Sequence, residues 1–223
     1  ILHDVCMQNI HVVFAIDRAG LVGSDGETHH GCFDLGYLSM MPNMTVMAPK
    51  NRWELADMLE FAVSCPGPAA VRYPRGEACE ELEEYRSPIE MGKAEWLIRG
   101  RGVALLPIGS MVSEGKRVQE ALETKGYSPS LVNMRFAKPL DLECLDELAQ
   151  CHETLVTMEE NVLAGGMGQS VRAYMARRHP QIQVVSFGIP DEFVGHGSVD
   201  QLKKQIHLDV ESMVTAIKEQ VNR

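Results

Sequence analysis

A loop between residues 15 and 31 gathers residue types that can bind an anion and transfer a proton. It reads Ala-Ile-Asp-Arg-Ala-Gly-Leu-Val-Gly-Ser-Asp-Gly-Glu-Thr-His-His-Gly and follows an apolar segment. Arg18 can hold a phosphate or carboxylate through two parallel hydrogen bonds. Asp25 can orient an imidazole or a substrate hydroxyl, and His29 and His30 can exchange protons near neutral pH. This composition predicts a binding or catalytic loop, although a solvated surface histidine and a simple turn at Asp25 remain alternatives.

A second arginine, Arg75, follows another segment with the character of a strand. The carboxyl ends of parallel strands meet at one edge of a sheet, so Arg18 and Arg75 are predicted to converge on one anion. The alternative is that each arginine pairs with a nearby acid, such as Asp17 or Glu77. Spacing alone does not decide between these two interpretations.

Three further motifs in the second half could take part in chemistry. Gly165-Gly-Met-Gly168 precedes a predicted helix, where exposed N–H groups can hold a phosphate, but close packing of the helix start is the favoured interpretation. Glu159 and Glu160 could form an acid/base pair, and a domain or subunit contact is favoured instead. His196, between two glycines, is a weaker candidate for reaching the site from the second half.

The elements that must position these residues alternate between strand and helix. In the first half, apolar β-branched runs predict strands, and a period of 3.6 residues predicts helices. Asn51 is the predicted N-cap of the longer helix, and the first nine residues resemble the end of another helix. The predicted strands are 10–16, 44–48 and 69–73, and the predicted helices are 33–41 and 51–64.

An acidic segment, residues 77–90, separates this half from a second α/β unit. It predicts a solvated linker, with domains at 1–88 and 89–223. The later strands are predicted at 93–98, 103–108, 130–134, 154–158 and 183–187, and the helices at 113–125, 142–150, 168–178, 199–205 and 210–221. Alternation of this kind predicts an α/β fold with two mostly parallel sheets covered by helices.

Composition narrows the function classes. The chain has 223 residues, 45% of them apolar, and a formal net charge of −10. An acidic chain is not expected to bind nucleic acid or an anionic membrane as a general partner. Its six cysteines contain no Cys-x-x-Cys pair, which favours reduced thiols in a cytoplasmic protein.

The stretch from Asp17 to Asp34 resembles the signature of the 1-deoxy-D-xylulose-5-phosphate synthases, a thiamine-diphosphate-dependent family of the transketolase-like group. The resemblance runs in order along nearly the whole chain. It continues through Pro42-Asn-Met44, Met47-Ala-Pro49, Tyr73-Pro-Arg-Gly76, Met91-Gly-Lys-Ala-Glu95, Arg135-Phe-x-Lys-Pro-Leu-Asp141, Glu159-Glu-Asn161, Gly165-Gly-x-Gly168 and Gly195-His-Gly197.

The resemblance implies a fold and an activity. Residues 1–88 would be part of a transketolase pyrimidine-binding domain, and 89–223 a transketolase C-terminal domain. The intact enzyme would condense pyruvate with D-glyceraldehyde 3-phosphate, using thiamine diphosphate and Mg²⁺, to give 1-deoxy-D-xylulose 5-phosphate and carbon dioxide. This product feeds isoprenoid, thiamine and pyridoxal synthesis, and the enzyme would be a homodimer.

The resemblance also assigns roles to individual residues. Arg18 and Arg75 would bind the phosphate of the acceptor aldehyde, and Asp25 and His29 would lie on the substrate side of the thiamine ring. Glu27 and Cys32 depart from the family pattern without removing these groups.

The larger departure is that the cofactor-activating glutamate and the metal–diphosphate motif have no counterpart in the sequence. The chain is therefore predicted to be the C-terminal part of a longer polypeptide and to be inactive alone. A transketolase or a 2-oxoacid dehydrogenase β subunit is the enzymatic alternative. A non-catalytic dimerisation or assembly module is the alternative of another class.

Overall fold

Two mixed sheets form the framework of the protein in a computed structural model that describes residues 1–221. The first sheet has the order β1-β3-β2-β7, in which β7 runs antiparallel to β2 and the other pairs are parallel. Its strands are β1 (Val13–Ile16), β2 (Thr45–Met47), β3 (Ala69–Arg72) and β7 (Phe136–Lys138).

The second sheet has the order β4-β6-β5-β8-β9, with an antiparallel strand β4 at one edge and parallel pairing elsewhere. Its strands are β4 (Glu95–Ile98), β5 (Gly102–Pro107), β6 (Ser130–Asn133), β8 (His152–Val162) and β9 (Gln183–Ile189). These two sheets confirm the predicted α/β fold class.

Seven α-helices lie within the described residues, together with a short π-helical segment at Leu2–Cys6 and a 3₁₀ turn at Gly23–Asp25. Most predicted elements are present with shifted ends. Strand β8 is a longer element than predicted, since it continues to Val162 rather than ending at residue 158. The helices are α1 (Asp34–Ser39), α2 (Arg52–Ser64), α3 (Met111–Glu123), α4 (Leu142–Cys151), α5 (Met167–Arg178), α6 (Val199–Gln205) and α7 (Val210–Val221).

Strand β7 was not predicted, and it joins the two halves of the chain. It comes from the second half but completes the first sheet beside β2. Arg135, directly before it, has a φ of 55°, a left-handed conformation that redirects the chain out of β6 toward the other sheet. The two halves also share one apolar core, in which Leu35 and Leu38 of α1 cluster with Leu106 of β5.

The acidic segment 77–90 is exposed for most of its length but is attached to both halves. Asn51 caps α2 by accepting from the Glu54 N–H at 3.0 Å, and its amide donates to the carbonyls of Glu81 and Leu82. The Glu81 carboxylate also pairs with Arg117 of α3 at 2.7 Å. The segment is therefore held along the folded body, while the domain boundary placed in it stays a prediction.

Beneath this segment, four charged side chains form a buried network. Lys50 Nζ contacts Glu54 Oε1 at 3.0 Å and Glu95 Oε2 at 2.7 Å. Arg135 reaches the same two acids, with Nε 2.7 Å from Glu54 Oε1 and Nη2 2.9 Å from Glu95 Oε1. Asn133 donates to both carboxylates. Two cations thus balance two anions, and each charged side chain is at most 3% exposed.

The carboxyl of Glu95 shows how the network compensates for burial. Burial by itself raises the pKa of this group, but the Lys50 ammonium, the Ser87 N–H and the Arg135 guanidinium outweigh burial and hold the pKa below its ordinary value. Glu95 therefore remains ionised in the folded protein and favours folding above its unfolded pKa. That contribution is lost as the pH falls through the lowered pKa.

Replacing Glu54 by Gln is expected to lower the free energy of unfolding by about 3–5 kcal/mol, because it leaves a buried positive charge without its partner. Urea unfolding at pH 7 measures the change. Glu60→Gln, at an exposed position of the same helix α2, is the matched control and should leave the midpoint within about 0.5 kcal/mol of the wild type. Equal effects of the two substitutions would contradict the role of the network.

Candidate functional site

The loop after β1 is closed at its base by backbone hydrogen bonds. Gly20 and Gly31 exchange two of them, at 2.8 and 3.0 Å, and the Ala19 N–H donates to the Tyr73 carbonyl at 3.0 Å. Arg18 turns the chain with a φ of 59°. A Cβ on Gly31 would lie 2.1 Å from the Arg18 carbonyl oxygen, so only glycine fits there. The loop therefore has a fixed shape at the carboxyl end of the first sheet.

Arg72, at the end of β3, anchors this loop and was not among the predicted site residues. Its side chain is 4% exposed, and its Nε donates to Asp34 Oδ2 at 3.2 Å. Its Nη2 donates to the carbonyls of Gly31 and Glu160, the latter at 2.7 Å. One guanidinium thus joins the loop, helix α1 and strand β8. An arginine ending the apolar run Ala69–Arg72 was the signal that could have identified it.

Both predicted phosphate-binding arginines form ion pairs with neighbouring acids. Arg18 Nη1 lies 3.1 Å from Asp17 Oδ2, and Arg75 pairs with Asp25, which joins two of the predicted site residues. The Arg18 and Arg75 side chains are 43% and 51% exposed. The Arg18 Nε is buried and has no hydrogen-bond partner among the described residues, so it keeps a donor free. The pairing matches the alternative interpretation, and convergence on one anion stays a prediction.

The two adjacent histidines have different environments. His29 is exposed, and its Nδ1 lies 2.9 Å from Thr28 Oγ1. His30 is partly buried between backbone groups, with Nδ1 3.0 Å from the Val22 nitrogen and Nε2 3.0 Å from the Gly195 carbonyl oxygen. His29 is therefore the imidazole that can reach a bound molecule, and its catalytic role stays a prediction.

The Gly195–Gly197 loop of the second half lies against the loop that carries Asp25. The Gly197 N–H contacts the Gly23 carbonyl at 3.5 Å, and a Cβ on Gly26 would lie 3.4 Å from the Cβ of His196. His196 is exposed beside this contact. Both halves of the chain therefore border the candidate site.

The glycine motif before α5 encloses a carboxylate of the protein itself. Glu159 Oε2 accepts from the Met167 N–H at 2.9 Å, and Oε1 accepts from the Gly168 N–H at 2.8 Å. A Cβ on Gly166 would lie 2.4 Å from Glu159 Oε2. The helix start is thus occupied by Glu159, which agrees with the favoured packing interpretation.

Glu160 and Asn161 make contacts between the halves. A Cβ on Gly20 would lie 2.8 Å from the Cβ of Glu160, and Ser110 donates to the Glu160 carboxylate. Asn161 Oδ1 accepts from the Leu35 N–H at 3.2 Å, at the start of α1. For Glu160 this packing agrees with the interpretation of the Glu-Glu pair as a domain contact, whereas Glu159 accepts its hydrogen bonds from its own half.

Within residues 1–221, no group of three or more His, Cys, Asp or Glu side chains could hold a metal ion. In the same range, no helix is long and apolar enough to cross a membrane.

Four exposed apolar side chains form a surface next to the loop, here called the aromatic face: Phe33, Tyr37 and Met40 along α1, and Phe193. The Phe33 and Phe193 rings pack edge to face with centroids 6.4 Å apart. Phe193 and Met40 are each 77% exposed. An apolar group of this size on the surface is typical of an interaction site.

The raised pKa of Glu159 predicts how the stability of the protein depends on pH. Burial raises its pKa from 4.5 to about 7, against the lowering effect of the Gly168 and Met167 N–H donors. The folded state therefore binds more protons than the unfolded state between these values, and the free energy of unfolding falls as the pH rises from about 4.5 to 7.

Because an amide does not titrate, Glu159→Gln is expected to remove this fall, which amounts to about 3 kcal/mol. Urea unfolding of both proteins at several values between pH 4.5 and 8 gives the difference. Glu153→Gln, at an exposed position of the same strand, should keep the pH profile of the wild type. Parallel profiles for the wild type and Glu159→Gln would show that this carboxyl does not titrate as described.

Comparison with protein families gives two matches that together span most of the chain. Residues 1–80 match the pyrimidine-binding domain of transketolase, and residues 92–213 match the transketolase C-terminal domain.

Curated relatives share close to half of the aligned residues. The 1-deoxy-D-xylulose-5-phosphate synthase of Chlorobaculum tepidum is 48% identical over 215 residues, covering 96% of this chain and 34% of that protein. The protein of the same name from Lachnoclostridium phytofermentans is 48% identical over 218 residues, covering 97% of this chain and 35% of that protein. The chain thus spans about a third of the length of these relatives.

Two solved structures share the fold. A split-gene transketolase, described as an inactive β4 tetramer, superposes with a TM-score of 0.91 at 26% identity, covering 100% of this chain and 71% of that one. Transketolase from Campylobacter jejuni superposes with a TM-score of 0.77 at 19% identity, covering 96% of this chain and 32% of that one. The second likeness supports the fold alone.

Proposed function

Because the chain belongs to the transketolase family, we propose that it carries the acceptor-binding part of a 1-deoxy-D-xylulose-5-phosphate synthase. The observation that supports this most is the 48% identity to synthases of that name along 96% of the chain. The complete enzyme condenses pyruvate with D-glyceraldehyde 3-phosphate and releases carbon dioxide, in the cytoplasm. The remaining length of the relatives, in the same polypeptide or in a partner, supplies the metal–diphosphate site for Mg²⁺ and thiamine diphosphate.

The arginines anchor the phosphate of the aldehyde. Arg75 is half exposed, and its only ion-pair partner among the described residues is the carboxylate of Asp25. A phosphate dianion takes the place of that carboxylate on the guanidinium. Arg18, whose side chain is 43% exposed and pairs with Asp17, contributes the second guanidinium. Holding the phosphate fixes the position of the aldehyde carbon and converts binding energy into orientation.

His29 and Asp25 act on the oxygen atoms of the aldehyde. When a carbon–carbon bond forms at an aldehyde carbon, its oxygen gains negative charge and takes up a proton. The exposed imidazole of His29 donates that proton, and Asp25, released from Arg75, accepts a hydrogen bond from the substrate hydroxyl. Thiamine diphosphate, when bound, supplies the electron sink for the carbon chemistry.

Two other functions remain to be distinguished from this one. A transketolase or a 2-oxoacid dehydrogenase β subunit would transfer other groups, and assays with their substrates exclude or establish them. A non-catalytic assembly module is the alternative of another class, and the solved split-gene transketolase is itself described as an inactive β4 tetramer. If the chain turns over pyruvate and D-glyceraldehyde 3-phosphate once it is combined with the part of a relative that it lacks, that alternative is excluded.

In the complete enzyme, Arg75→Ala is expected to raise the KM for D-glyceraldehyde 3-phosphate about ten- to a hundredfold, because a charged hydrogen-bond partner is lost. The KM for pyruvate should change little. His29→Ala should instead lower kcat, since the proton is needed in the transition state. Steady-state kinetics with each substrate varied measures both effects.

Arg177→Ala is the matched control for Arg75→Ala, because Arg177 is exposed on α5 away from the loop. It should leave both KM values unchanged. An Arg75→Ala enzyme with the KM for the aldehyde phosphate of the wild type would contradict the anchoring role.

We infer that the chain forms a homodimer and that the aromatic face is buried in it. Phe193→Asp places a charge within that surface and should shift the protein toward monomer, because an unpaired charge is costly to bury. Sedimentation velocity over a concentration series measures the shift. Val63→Asp, at a 68% exposed apolar position on α2, is the control and should not change the association. Equal association of the wild type, Phe193→Asp and Val63→Asp would rule out this interface.

A further inference from the structure

We propose that His30 is a positioning residue that clamps the loop carrying Asp25 and His29 to the Gly195–Gly197 loop, and that protonation of its imidazole opens the clamp. The clamp is a property of this chain, and only its effect on turnover rests on the proposed function. In this role the second histidine of the His-His pair needs no contact with substrate.

The two hydrogen bonds of His30 allow a single protonation state. The Val22 N–H can only donate, so Nδ1 must accept and is unprotonated, at 3.0 Å. The Gly195 carbonyl can only accept, so Nε2 must carry the proton, also at 3.0 Å. Only the neutral Nε2–H tautomer satisfies both partners.

These contacts close the loop at its neck. Val22 and His30 are the first and last residues of the segment that contains Asp25 and His29, so their hydrogen bond sets the span of that segment. The bond to Gly195 then fixes the segment against the second half of the chain, next to His196. The positions of Asp25 and His29 therefore depend on His30.

Protonation removes one of the two bonds. In the imidazolium both ring nitrogens are donors, so Nδ1–H would face the Val22 N–H and that hydrogen bond would be lost. The bond from Nε2 to the Gly195 carbonyl would survive. The segment from Val22 to His30 therefore loosens, while the Gly20–Gly31 hydrogen bonds at the base of the loop and the attachment to the second half persist.

Other titratable groups lie around His30. Glu27 from the same loop and Glu192 from the segment after β9 line a small cavity with His30, which places two acidic side chains near the imidazole. Cys32 lines the same cavity, but burial raises the pKa of its thiol to about 12, so it stays neutral. His196 lies on the opposite loop, next to Gly26.

The substitution His30→Gln can keep both hydrogen bonds of the clamp while removing its response to pH. The side-chain carbonyl of Gln can accept from Val22 and its amide can donate to Gly195, while the group stays neutral at every working pH. His30→Gln should therefore keep the loop closed across the range in which imidazole titrates. His30→Leu removes both hydrogen bonds and should open the loop at every pH.

Hydrogen exchange of the 223-residue chain tests the clamp without any activity. After correction for intrinsic rates, protection of the Val22 amide in the wild type should fall about tenfold between pH 7.5 and pH 5.5. His30→Gln should show no such fall, and His30→Leu should be unprotected at both values. His3→Gln, which removes an exposed histidine of the π-helical segment Leu2–Cys6, should behave as the wild type.

Three results would overturn the clamp: equal wild-type protection at the two pH values, a protected Val22 amide in His30→Leu, or the wild-type fall in His30→Gln. Long-range ¹⁵N–¹H spectra of the wild type give a check that needs no variant. They should show an unprotonated Nδ1 and a protonated Nε2 for His30 at pH 7.5, and the opposite tautomer would contradict the proposal.

In the complete enzyme, the decline of kcat toward acid should be shallower in His30→Gln than in the wild type. If exchange behaves as expected but pyruvate and D-glyceraldehyde 3-phosphate are not turned over, the proposed function is wrong and the clamp stands. If turnover occurs and kcat declines toward acid pH equally in the wild type and in His30→Gln, His30 does not position the catalytic loop.

Discussion

The buried network of Lys50, Glu54, Glu95 and Arg135 is the constraint on which the two-sheet arrangement depends. Each cation contacts both acids, so no member can be withdrawn without leaving a charge in a nonpolar interior. Glu54 belongs to a helix of the first half, while Glu95 and Arg135 belong to the second. The network therefore fixes the position of α2 relative to β4. Charge balance makes this position specific, because a shift would separate the charges from their partners.

A second junction, at Arg72, transmits this arrangement to the candidate site. The guanidinium binds the loop at Gly31, helix α1 at Asp34 and strand β8 at Glu160. The site loop is thus fixed at its base by the same halves that the buried network aligns. Because the exposed arginines and His29 project from this base, their placement depends on the contacts of Arg72 and, for His29, also on those of His30.

The sequence was sufficient to predict elements whose signals are local. The N-cap at Asn51 and the apolar faces of the longer helices depend on nearby residues, and the α/β class follows from their alternation. Strand β7 could not be predicted, since its three residues pair with β2 only after the left-handed turn at Arg135 redirects the chain. Arg72 was missed because its partners lie far along the sequence, and the pairing of Arg75 with Asp25 rather than Glu77 depends on how two loops meet.

The origin of β7 has a consequence for the order of events during synthesis on the ribosome. The first three strands of the first sheet emerge early, but β2 keeps an unpaired edge until Phe136–Lys138 has been made. Two of the four charges of the buried network also arrive late, with Glu95 and Arg135. The nascent first half therefore exposes a sheet edge, and its Lys50–Glu54 ion pair lacks the second acid and the second cation of the network until the second half has been made.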